Sequence, residues 1–412
     1  MNILFVSPRL PYPPLKGDQL RAFYLIKHLY KRGHKISLLS FIENEREMAW
    51  RQKLLEYCEV VETVLLPKWK SYLNMIFGLF SKIPFQVKFY YSREMFDAVR
   101  DMSAKNSCDV VHFIFSRMMS YAKIVEGTPV IMDHVDAYSM NMERKYNRER
   151  GFRKAISYYE WKRMKRYERS NHSLFNYSVV ASRIDREYLN NERIEIIPNG
   201  VDLERLAPVR RGKDIDLIFT GNMGYFPNKD AVLYFCQEIF PLILERRPET
   251  TFYIVGTDPS PKIRKLADGK NIFVTGYVNN MKVYLNRSLV SVCPIKAGSG
   301  IQNKVLEAMA NVVPIVATSY AIGGISADNG KDVFISDKPE EFAENVLKLL
   351  GDKKLRERLS LNGRRLVEQE YSWDVSAVKF EDVYDMAQKA FIEAGTRLAK
   401  RDLQKKGHLI FR

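Results

Sequence analysis

The residues with the clearest chemical potential lie between Pro294 and Ala310, in the sequence PIKAGSGIQNKVLEAMA. An apolar strand is predicted to end there in the turn Gly298-Ser299-Gly300, and a helix is predicted to begin near Ile301. Helix N-termini present free N–H groups and a partial positive charge, and glycines let a phosphate approach the backbone closely. This turn is therefore predicted to bind a phosphate-bearing ligand.

Two charged side chains on the same predicted helix extend this site. Lys304 lies in the first turn, where it can add a mobile cation for a diphosphate. Glu307 lies one turn further on, where a carboxylate can accept hydrogen bonds from two ribose hydroxyls, each worth roughly 1.5 to 3 kcal/mol when charge-assisted. An ordinary capped helix with a solvated lysine and glutamate is the alternative interpretation.

A second turn of this kind, Gly221 to Lys229, also follows a predicted strand and precedes a predicted helix. A phosphate-sized anion can again lie at the start of a helix. Lys229 is therefore predicted to be a second phosphate ligand, with a purely structural turn as the alternative.

Titratable side chains also gather where a strand of the N-terminal half is predicted to end, in the sequence Asp133-His134-Val135-Asp136. Three such side chains within four residues rarely belong to a core, so they are expected to project into a cleft. His134 and Asp136 are then candidates for catalytic or positioning groups. A capping Asp and a satisfied His are the alternative, and His112 is interpreted as structural.

These loops need a scaffold, and the hydrophobic pattern predicts one. Strand-like runs alternate with helical periodicity, which is typical of parallel sheets with helices on both faces. The 412 residues exceed the roughly 250 to 300 at which one core stops growing, so two α/β domains are expected. The predicted strands are 2–7, 35–42, 60–66, 109–115, 129–133, 177–181 and 193–197, then 215–220, 251–255, 272–275, 289–294, 313–317 and 332–335.

The chain is predicted to divide where a strand ends in turn residues and a polar, Pro-containing stretch follows. This interpretation gives domains over residues 1–202 and 203–372, then a long helix with an apolar face over 373–395 and a basic tail over 396–412. No GxGxxG motif follows the first strand, which argues against a nicotinamide or flavin enzyme. Open sheets of this kind bind ligands at the carboxyl ends of their strands.

Charge is the most informative bulk property. The chain holds 65 Lys and Arg against 49 Asp and Glu, for a net +16, and residues 1–200 hold 33 basic and 22 acidic residues, a surplus of 11. The first half is therefore expected to meet something anionic. Because no helix-turn-helix, zinc or RNP-type signature is present, nucleic acid is not an expected partner.

The chain begins with a strand-like run and lacks the pattern of a signal peptide, and no apolar stretch approaches the roughly 20 residues of a transmembrane helix. Cytoplasmic residence is therefore expected. The four cysteines lie far apart without a CxxC motif, so neither a disulfide framework nor a structural zinc site is expected.

Two segments of the first half combine aromatic and basic residues. Residues 68–91 include Trp69 and Phe77, and residues 144–169 hold eleven Lys and Arg against three Glu. Interfacial helices have this composition, and each basic residue near an anionic leaflet contributes about 1 kcal/mol. The first domain is thus expected to dock on the anionic inner face of the cell membrane, with a core helix and a solvated basic helix as the alternative.

Together these motifs resemble the family 4 glycosyltransferases of GT-B fold, over nearly the whole chain. The strongest part is the glycine-rich turn with Lys304 and the sequence Leu-Glu-Ala-Met-Ala around Glu307. Within the family, the chain looks closest to sugar transferases of bacterial exopolysaccharide clusters. Further matching segments are the interdomain signature at 197–202, the first C-domain loop at 220–223 with Lys229, and the start of the crossing helix at 371–373.

The resemblance implies two Rossmann-like doubly wound domains that face each other across a cleft, the first for the acceptor and the second for a nucleotide sugar. The helix 373–395 would cross back to the first domain. The active-site histidine of the family, which contacts the donor sugar near its 6-hydroxyl, is matched by His134. The implied donor-binding residues are Gly17, Arg21, Asn222, Lys229, Val278, Gly298, Ser299, Gly300, Ile301, Lys304 and Glu307. Arg21 can bind either the donor phosphate or the acceptor, and a plain connecting loop is the alternative for the segment from Gly17 to Arg21.

Two positions depart from the family pattern. Many members carry two glutamates eight positions apart, and Glu307 matches the second, whereas Ser299 occupies the place of the first. Backbone amides from Gly298 to Ile301 are expected to substitute for that glutamate near the donor sugar. Asn222 stands where members often have Arg, which removes part of the usual positive charge.

The motifs and the resemblance therefore predict a metal-independent glycosyltransferase without a cofactor, and the resemblance alone implies that it retains the anomeric configuration. It would move a hexose-type sugar from a nucleoside diphosphate donor to a hydroxyl of a lipid-linked saccharide in surface polysaccharide synthesis. The run Asp214-Ile215-Asp216 imitates a DxD metal motif, but Asp216 enters a predicted strand, so the match is interpreted as chance. Two alternatives stay open: a nucleotide-sugar epimerase of similar shape, and a catalytically silent, basic sugar-binding homologue.

Overall fold

The computed structural model describes residues 1–15, 17–78, 81–105, 108–206, 212–296 and 301–410, with side chains as far as residue 396. Contacts between Cα atoms divide the chain into two units. The first comprises Met1–Pro198 with Ser376–Arg412, and the second comprises Asn199–Val375. The division falls a few residues before the boundary that the sequence suggests.

The first unit is built on a sheet whose strands all pair in parallel. Its strands are β1 (Asn2–Ser7), β2 (Lys35–Ile42), β3 (Val60–Leu65), β4 (Val110–Ile114), β5 (Val130–Val135), β6 (Tyr177–Val180) and β7 (Ile194–Ile196). Among the described residues they follow the order β3-β2-β1-β4-β5-β6-β7. All residues of β4 and β5 are buried, as expected for central parallel strands that are covered on both faces.

Helices connect these strands. The α-helices are α1 (Gly17–Lys31), α2 (Arg51–Leu54), α3 (Lys68–Phe77), α4 (Phe85–Phe89), α5 (Arg93–Lys105), α6 (Tyr138–Arg148), α7 (Gly151–Asn171) and α8 (Arg183–Leu189). Short 3₁₀ helices cover Glu45–Trp50, Ser116–Ile124 and His172–Leu174. Helix α6 begins where the carboxylate of Glu168, from α7, accepts hydrogen bonds from the backbone amides of Tyr138 and Ser139. This side chain satisfies amides that the helix itself cannot.

The second unit repeats the plan with a second parallel sheet. Its strands are β8 (Ile215–Thr220), β9 (Phe252–Val255), β10 (Ile272–Gly276), β11 (Ser288–Cys293), β12 (Ile315–Ala317) and β13 (Phe334–Ile335), in the order β10-β9-β8-β11-β12-β13 within the described residues. Its helices are α9 (Phe226–Tyr234), α10 (Phe240–Arg246), α11 (Pro261–Arg264), α12 (Met281–Arg287), α13 (Asn303–Ala310), α14 (Ser319–Ile322), α15 (Pro339–Gly351) and α16 (Lys353–Glu370). A π-helical turn, Phe235–Ile239, joins α9 to α10.

In each sheet the strand order reverses beside the first strand, between β1 and β4 and between β8 and β11. Doubly wound sheets bind ligands at this switch point, outside the carboxyl ends of the strands. The predicted α/β class with two Rossmann-like domains is confirmed. No helix in the described part of the chain is long and apolar enough to span a bilayer.

The last helix, α17 (Trp373–Ile410), belongs to the first unit from Ser376 onward. The hydroxyl of Tyr384 lies 2.8 Å from His112 Nδ1, and both residues are fully buried. Glu381 forms an ion pair with Arg32 at 2.7 Å, and its carboxylate also lies 2.7 Å from His34 Nε2. The helix continues through Ile410, which corrects the interpretation of residues 396–412 as a separate tail.

Candidate functional site

The second unit brings two glycine-containing loops together at the carboxyl ends of β8 and β9. Gly221 and Gly256 have φ angles of +155° and +147°, which residues with a side chain rarely adopt. A Cβ atom on Gly256 would lie 1.8 Å from the carbonyl oxygen of Gly221. The loop after β8 therefore keeps its shape only because both positions are glycine.

Lys304 links helix α13 to this loop. The helix begins at Asn303 rather than near Ile301, so Lys304 still lies in its first turn. Its Nζ donates a hydrogen bond to Asn228 Oδ1 at 2.6 Å, and a Cβ on Gly221 would lie 3.4 Å from its Cε. Burial lowers the pKa of Lys304, although Cys293 and Glu307 oppose this shift. The ammonium group is thus held in a desolvated position at the switch point.

Asn228 is a site residue that the sequence interpretation missed. Besides accepting the Lys304 hydrogen bond, its side-chain amide donates to the carbonyl oxygen of Asn222 at 2.8 Å. Asn228 lies in the first turn of α9 and is nearly fully buried. Its burial is the property that distinguishes it from an ordinary solvated side chain. No sequence pattern reveals that burial.

Asn222 and Lys229 have different surroundings. Asn222 Oδ1 accepts a hydrogen bond from the amide of Gly224 at 2.7 Å, so this side chain shapes the turn. The side-chain oxygen of Asn222, a residue predicted to bind the donor, therefore already has a partner within the loop. Lys229 is half-buried and forms no ion pair with any described residue, which leaves its charge available to an anion.

Glu307 lies one turn beyond Lys304 and is half-buried. Burial raises the pKa of its carboxyl group, against the influence of Arg205 and Lys304. Within the described residues, its side chain forms no hydrogen bond or ion pair. The carboxylate therefore has free capacity to accept hydrogen bonds from a ligand.

The remaining predicted donor residues of the second unit divide into two groups. Ile301 packs closely on Gly324, where a Cβ would lie 2.9 Å from Ile301 Cγ1, and Val278 is half-buried against the core. The predicted ligands Gly298, Ser299 and Gly300 lie outside the described residues.

The residues of the DxD-like run lie at the other end of β8. Asp214 pairs with Arg287, with an oxygen–nitrogen distance of 2.5 Å, and Asp216 accepts a hydrogen bond from the amide of Thr251 at 2.9 Å. Both carboxylates therefore have structural partners. No group of three or more His, Cys, Asp or Glu in the described ranges is arranged to hold a metal ion.

In the first unit, Asp133 and His134 are fully buried, which corrects the expectation that they project into a cleft. Asp133 Oδ2 accepts a hydrogen bond from Arg21 Nε at 2.6 Å, and both side chains are inaccessible to solvent. Although burial opposes ionisation, Arg21 and His112 hold the pKa of Asp133 at about 2. Arg21 is thus the counterion of a buried carboxylate, which corrects its assignment as a donor ligand.

His134 is a neutral, internal side chain. Its Nδ1 lies 2.8 Å from Ser116 Oγ, and its Nε2 has no hydrogen-bond partner among the described residues. Burial, assisted by the nearby His172, lowers the pKa of His134 to about 3. At neutral pH the ring is therefore a neutral imidazole, which can donate or accept a hydrogen bond but does not act as a general acid.

Asp136 is the member of this motif that remains partly exposed. It follows Val135, whose φ of +65° is uncommon for a β-branched residue, at a point where the pairing of β5 with β6 shifts register. Burial, together with Asp185, raises the pKa of Asp136 to about 6. Gly17, the remaining predicted ligand, is exposed at the start of α1, and a Cβ atom added to it would meet no other atom within 4 Å.

Two family models match this chain. The model for Glycosyltransferase Family 4 matches residues 17–205, and the model for Glycosyl transferases group 1 matches residues 214–352. Together they cover most of the sequence. The chain therefore belongs to the family 4-type glycosyltransferases of GT-B fold, as the sequence motifs indicate.

Relatives of this chain include a protein in the cps region of Klebsiella pneumoniae, which is 20% identical over 396 residues, 90% of this chain and 96% of that protein. The UDP-Gal:alpha-D-GlcNAc-diphosphoundecaprenol alpha-1,3-galactosyltransferase of Escherichia coli is 26% identical over 223 residues, 48% of this chain and 55% of that enzyme. The structure of Anabaena HepE in complex with UDP has a TM-score of 0.64 at 12% identity and covers 93% of this chain and 100% of HepE. The predicted class, a sugar transferase of polysaccharide synthesis, is confirmed.

Proposed function

We propose that this protein transfers a hexose-type sugar from a nucleoside diphosphate to a hydroxyl of a lipid-linked saccharide, with retention of anomeric configuration. The observation that carries this proposal is the desolvated Lys304 ammonium beside Gly221, at the switch point of the second sheet. The UDP in the HepE structure and the diphosphoundecaprenol-linked acceptor in the name of the E. coli relative support it.

The second unit would bind the donor. The N-terminus of α13, Lys304 and Lys229 would stabilise the leaving diphosphate, and Glu307 would accept hydrogen bonds from the ribose hydroxyls. The helix N-terminus and the two lysines supply positive charge where negative charge develops on the diphosphate, so we propose that no divalent cation is required. The loops after β8 and β9 pack closely because Gly221 and Gly256 lack side chains, and this packing would preorganise the site.

Asp136 is the best-placed group of the first unit to orient the acceptor hydroxyl, since it is partly exposed and ionised at neutral pH. During transfer, the bond between the anomeric carbon and the phosphate oxygen would break, and the acceptor oxygen would bond to the same face of that carbon. The acceptor proton would pass to the leaving phosphate. His134, which is buried, would act as a positioning residue through its contact with Ser116.

We further propose that the first unit docks on the anionic inner face of the cell membrane. Helix α3 exposes large apolar side chains, including Trp69 at 61%, Ile76 at 59% and Phe77 at 79%. Helices α3 and α4 contain lysines but no acidic residue. In α7, both glutamates are buried, so the charges that it exposes are basic. An apolar face flanked by cations is the pattern of an interfacial surface.

The proposed reaction is tested by incubating the protein with a panel of UDP- and GDP-sugars and a lipid extract of the source cells, followed by mass spectrometry. We expect one donor to be consumed and one lipid-linked product to gain one hexose. Conversion of the donor without an acceptor would indicate an epimerase instead. Nucleotide binding without any conversion would indicate a catalytically silent homologue.

A further inference from the structure

Two arginines meet at the switch point of the first sheet. Arg9 follows β1 and Arg117 follows β4, the two neighbouring strands between which the strand order reverses. Arg9 Nη2 and Arg117 Nη1 each lie 3.4 Å from the hydroxyl oxygen of Tyr90. Because loops at this place in a doubly wound sheet bind ligands, two cations that converge there require an explanation.

The two guanidinium groups have a single carboxylate partner between them within the described ranges. Arg9 lies 3.0 Å from Asp18, whereas no described acidic side chain forms an ion pair with Arg117. Arg117 instead donates to the hydroxyl of Tyr138 at 2.5 Å and lies against the rings of Phe115, Tyr138 and Tyr90. The guanidinium group of Arg117 therefore has no counterion among the described residues. Burial of such a cation is costly unless a ligand supplies the opposite charge.

The hydroxyl groups of Tyr90 and Tyr138 lie beside the two guanidinium groups and add to the hydrogen-bond donors there. Tyr138 donates its own hydrogen to Gln86 Oε1 at 3.0 Å. Tyr90 accepts from both arginines, and its own hydrogen has no acceptor among the described residues. In addition, the Nε atom of Arg117 is buried and lacks a hydrogen-bond partner there. Hydrogen-bond donors therefore exceed acceptors at this site.

We propose that Arg9 and Arg117 form, with the hydroxyl of Tyr90, a subsite for an oxyanion of the acceptor. This inference rests on the proposed glycosyltransferase function and adds that the acceptor is anionic. A phosphate group of the lipid link and a carboxylate on a sugar share the required chemistry, because guanidinium groups bind both as charge-assisted, bidentate partners.

The test measures binding of three undecyl-linked probes to the full chain by calorimetry, with UDP present. The probes carry N-acetylglucosamine through a diphosphate, glucuronic acid, or uncharged glucose. Arg9→Gln should weaken binding of an anionic probe by roughly ten- to a hundredfold and leave the uncharged probe unchanged. Arg117→Lys keeps the positive charge but loses the planar guanidinium group, so it should also weaken binding of the same anionic probe. Arg100→Gln, on the exposed face of α5, is the matched control.

A preference for the diphosphate probe that Arg9→Gln abolishes would place the lipid phosphate at this subsite, and the same result with glucuronic acid would place a sugar carboxylate there. Equal binding of all three probes by the wild-type protein, no binding of either anionic probe, or equal effects of Arg9→Gln and Arg100→Gln would overturn the proposal. UDP titration of each variant reports the donor site separately, so a wild-type protein that fails to bind nucleotides would contradict the proposed function instead.

Discussion

Replacement of Lys304 by Met tests the donor site most directly. The change removes the ammonium group and keeps a flexible side chain in the first turn of α13. In the wild-type protein, the Nζ atom donates to Asn228 Oδ1 at 2.6 Å, in a position where burial lowers its pKa. A bound diphosphate would supply the counterion that this ammonium group lacks among the described residues.

The expected magnitude follows from that role. A charge-assisted hydrogen bond contributes roughly 1.5 to 3 kcal/mol, so Lys304→Met should weaken binding of a nucleoside diphosphate about ten- to a hundredfold. Folding should survive. Because the folded-state pKa of Lys304 is lower than its unfolded value, the charged form destabilises the fold at neutral pH, and this cost fades as pH rises through the folded pKa.

Calorimetry with UDP and with GDP measures the effect, and Lys348→Met, at an exposed position of α15, is the matched control. Wild-type affinity should fall as pH rises toward the lowered pKa of Lys304, because the neutral amine no longer attracts the diphosphate. Lys304→Met should lack this dependence. Unchanged affinity in a folded Lys304→Met variant would refute the assignment of the diphosphate site.

Four further changes test the other parts of the proposal. Glu307→Ala should weaken nucleotide binding by about tenfold or more, since a charge-assisted pair is lost, and equal affinity by calorimetry in the folded variant would contradict the ribose contact. Turnover should fall as pH drops through about 6, where Asp136 becomes protonated. Asp136→Asn should lose most of the turnover and should no longer show this fall at low pH. An unaltered pH profile of turnover in the variant would remove Asp136 from the mechanism. His134→Ala should lower turnover at least about a hundredfold at nearly normal nucleotide affinity, whereas near-normal turnover would show that its contact with Ser116 is dispensable. Co-sedimentation should show that the protein binds anionic vesicles but binds zwitterionic vesicles little. Binding should weaken in salt, as the Debye length falls from about 10 Å at 0.1 M to about 3 Å at 1 M, and weaken again in the double variant Trp69→Ser, Phe77→Ser. Ile392→Ser is the control, and equal binding to both vesicle types would refute docking.

Local patterns in the sequence were sufficient for the two-domain α/β architecture. Strand β8 begins and ends at the predicted residues, because an apolar run bounded by a charged residue and a glycine turn is a local signal. Lys304 and Glu307 lie on one helix for the same reason, since their spacing is helical. The family motifs around them led to the confirmed class of enzyme.

Only the tertiary structure decided which polar residues are internal. Asp133 is buried because Arg21, more than a hundred residues away in the sequence, supplies its counterion, and Lys304 is fixed by Asn228 from a different helix, α9. Arg9 and Arg117 likewise meet because β1 and β4 are neighbours at the switch point. The periodicity of a sequence determines which face of an element is apolar, but the partner of a buried charge depends on strand order, which joins distant segments and leaves no local pattern.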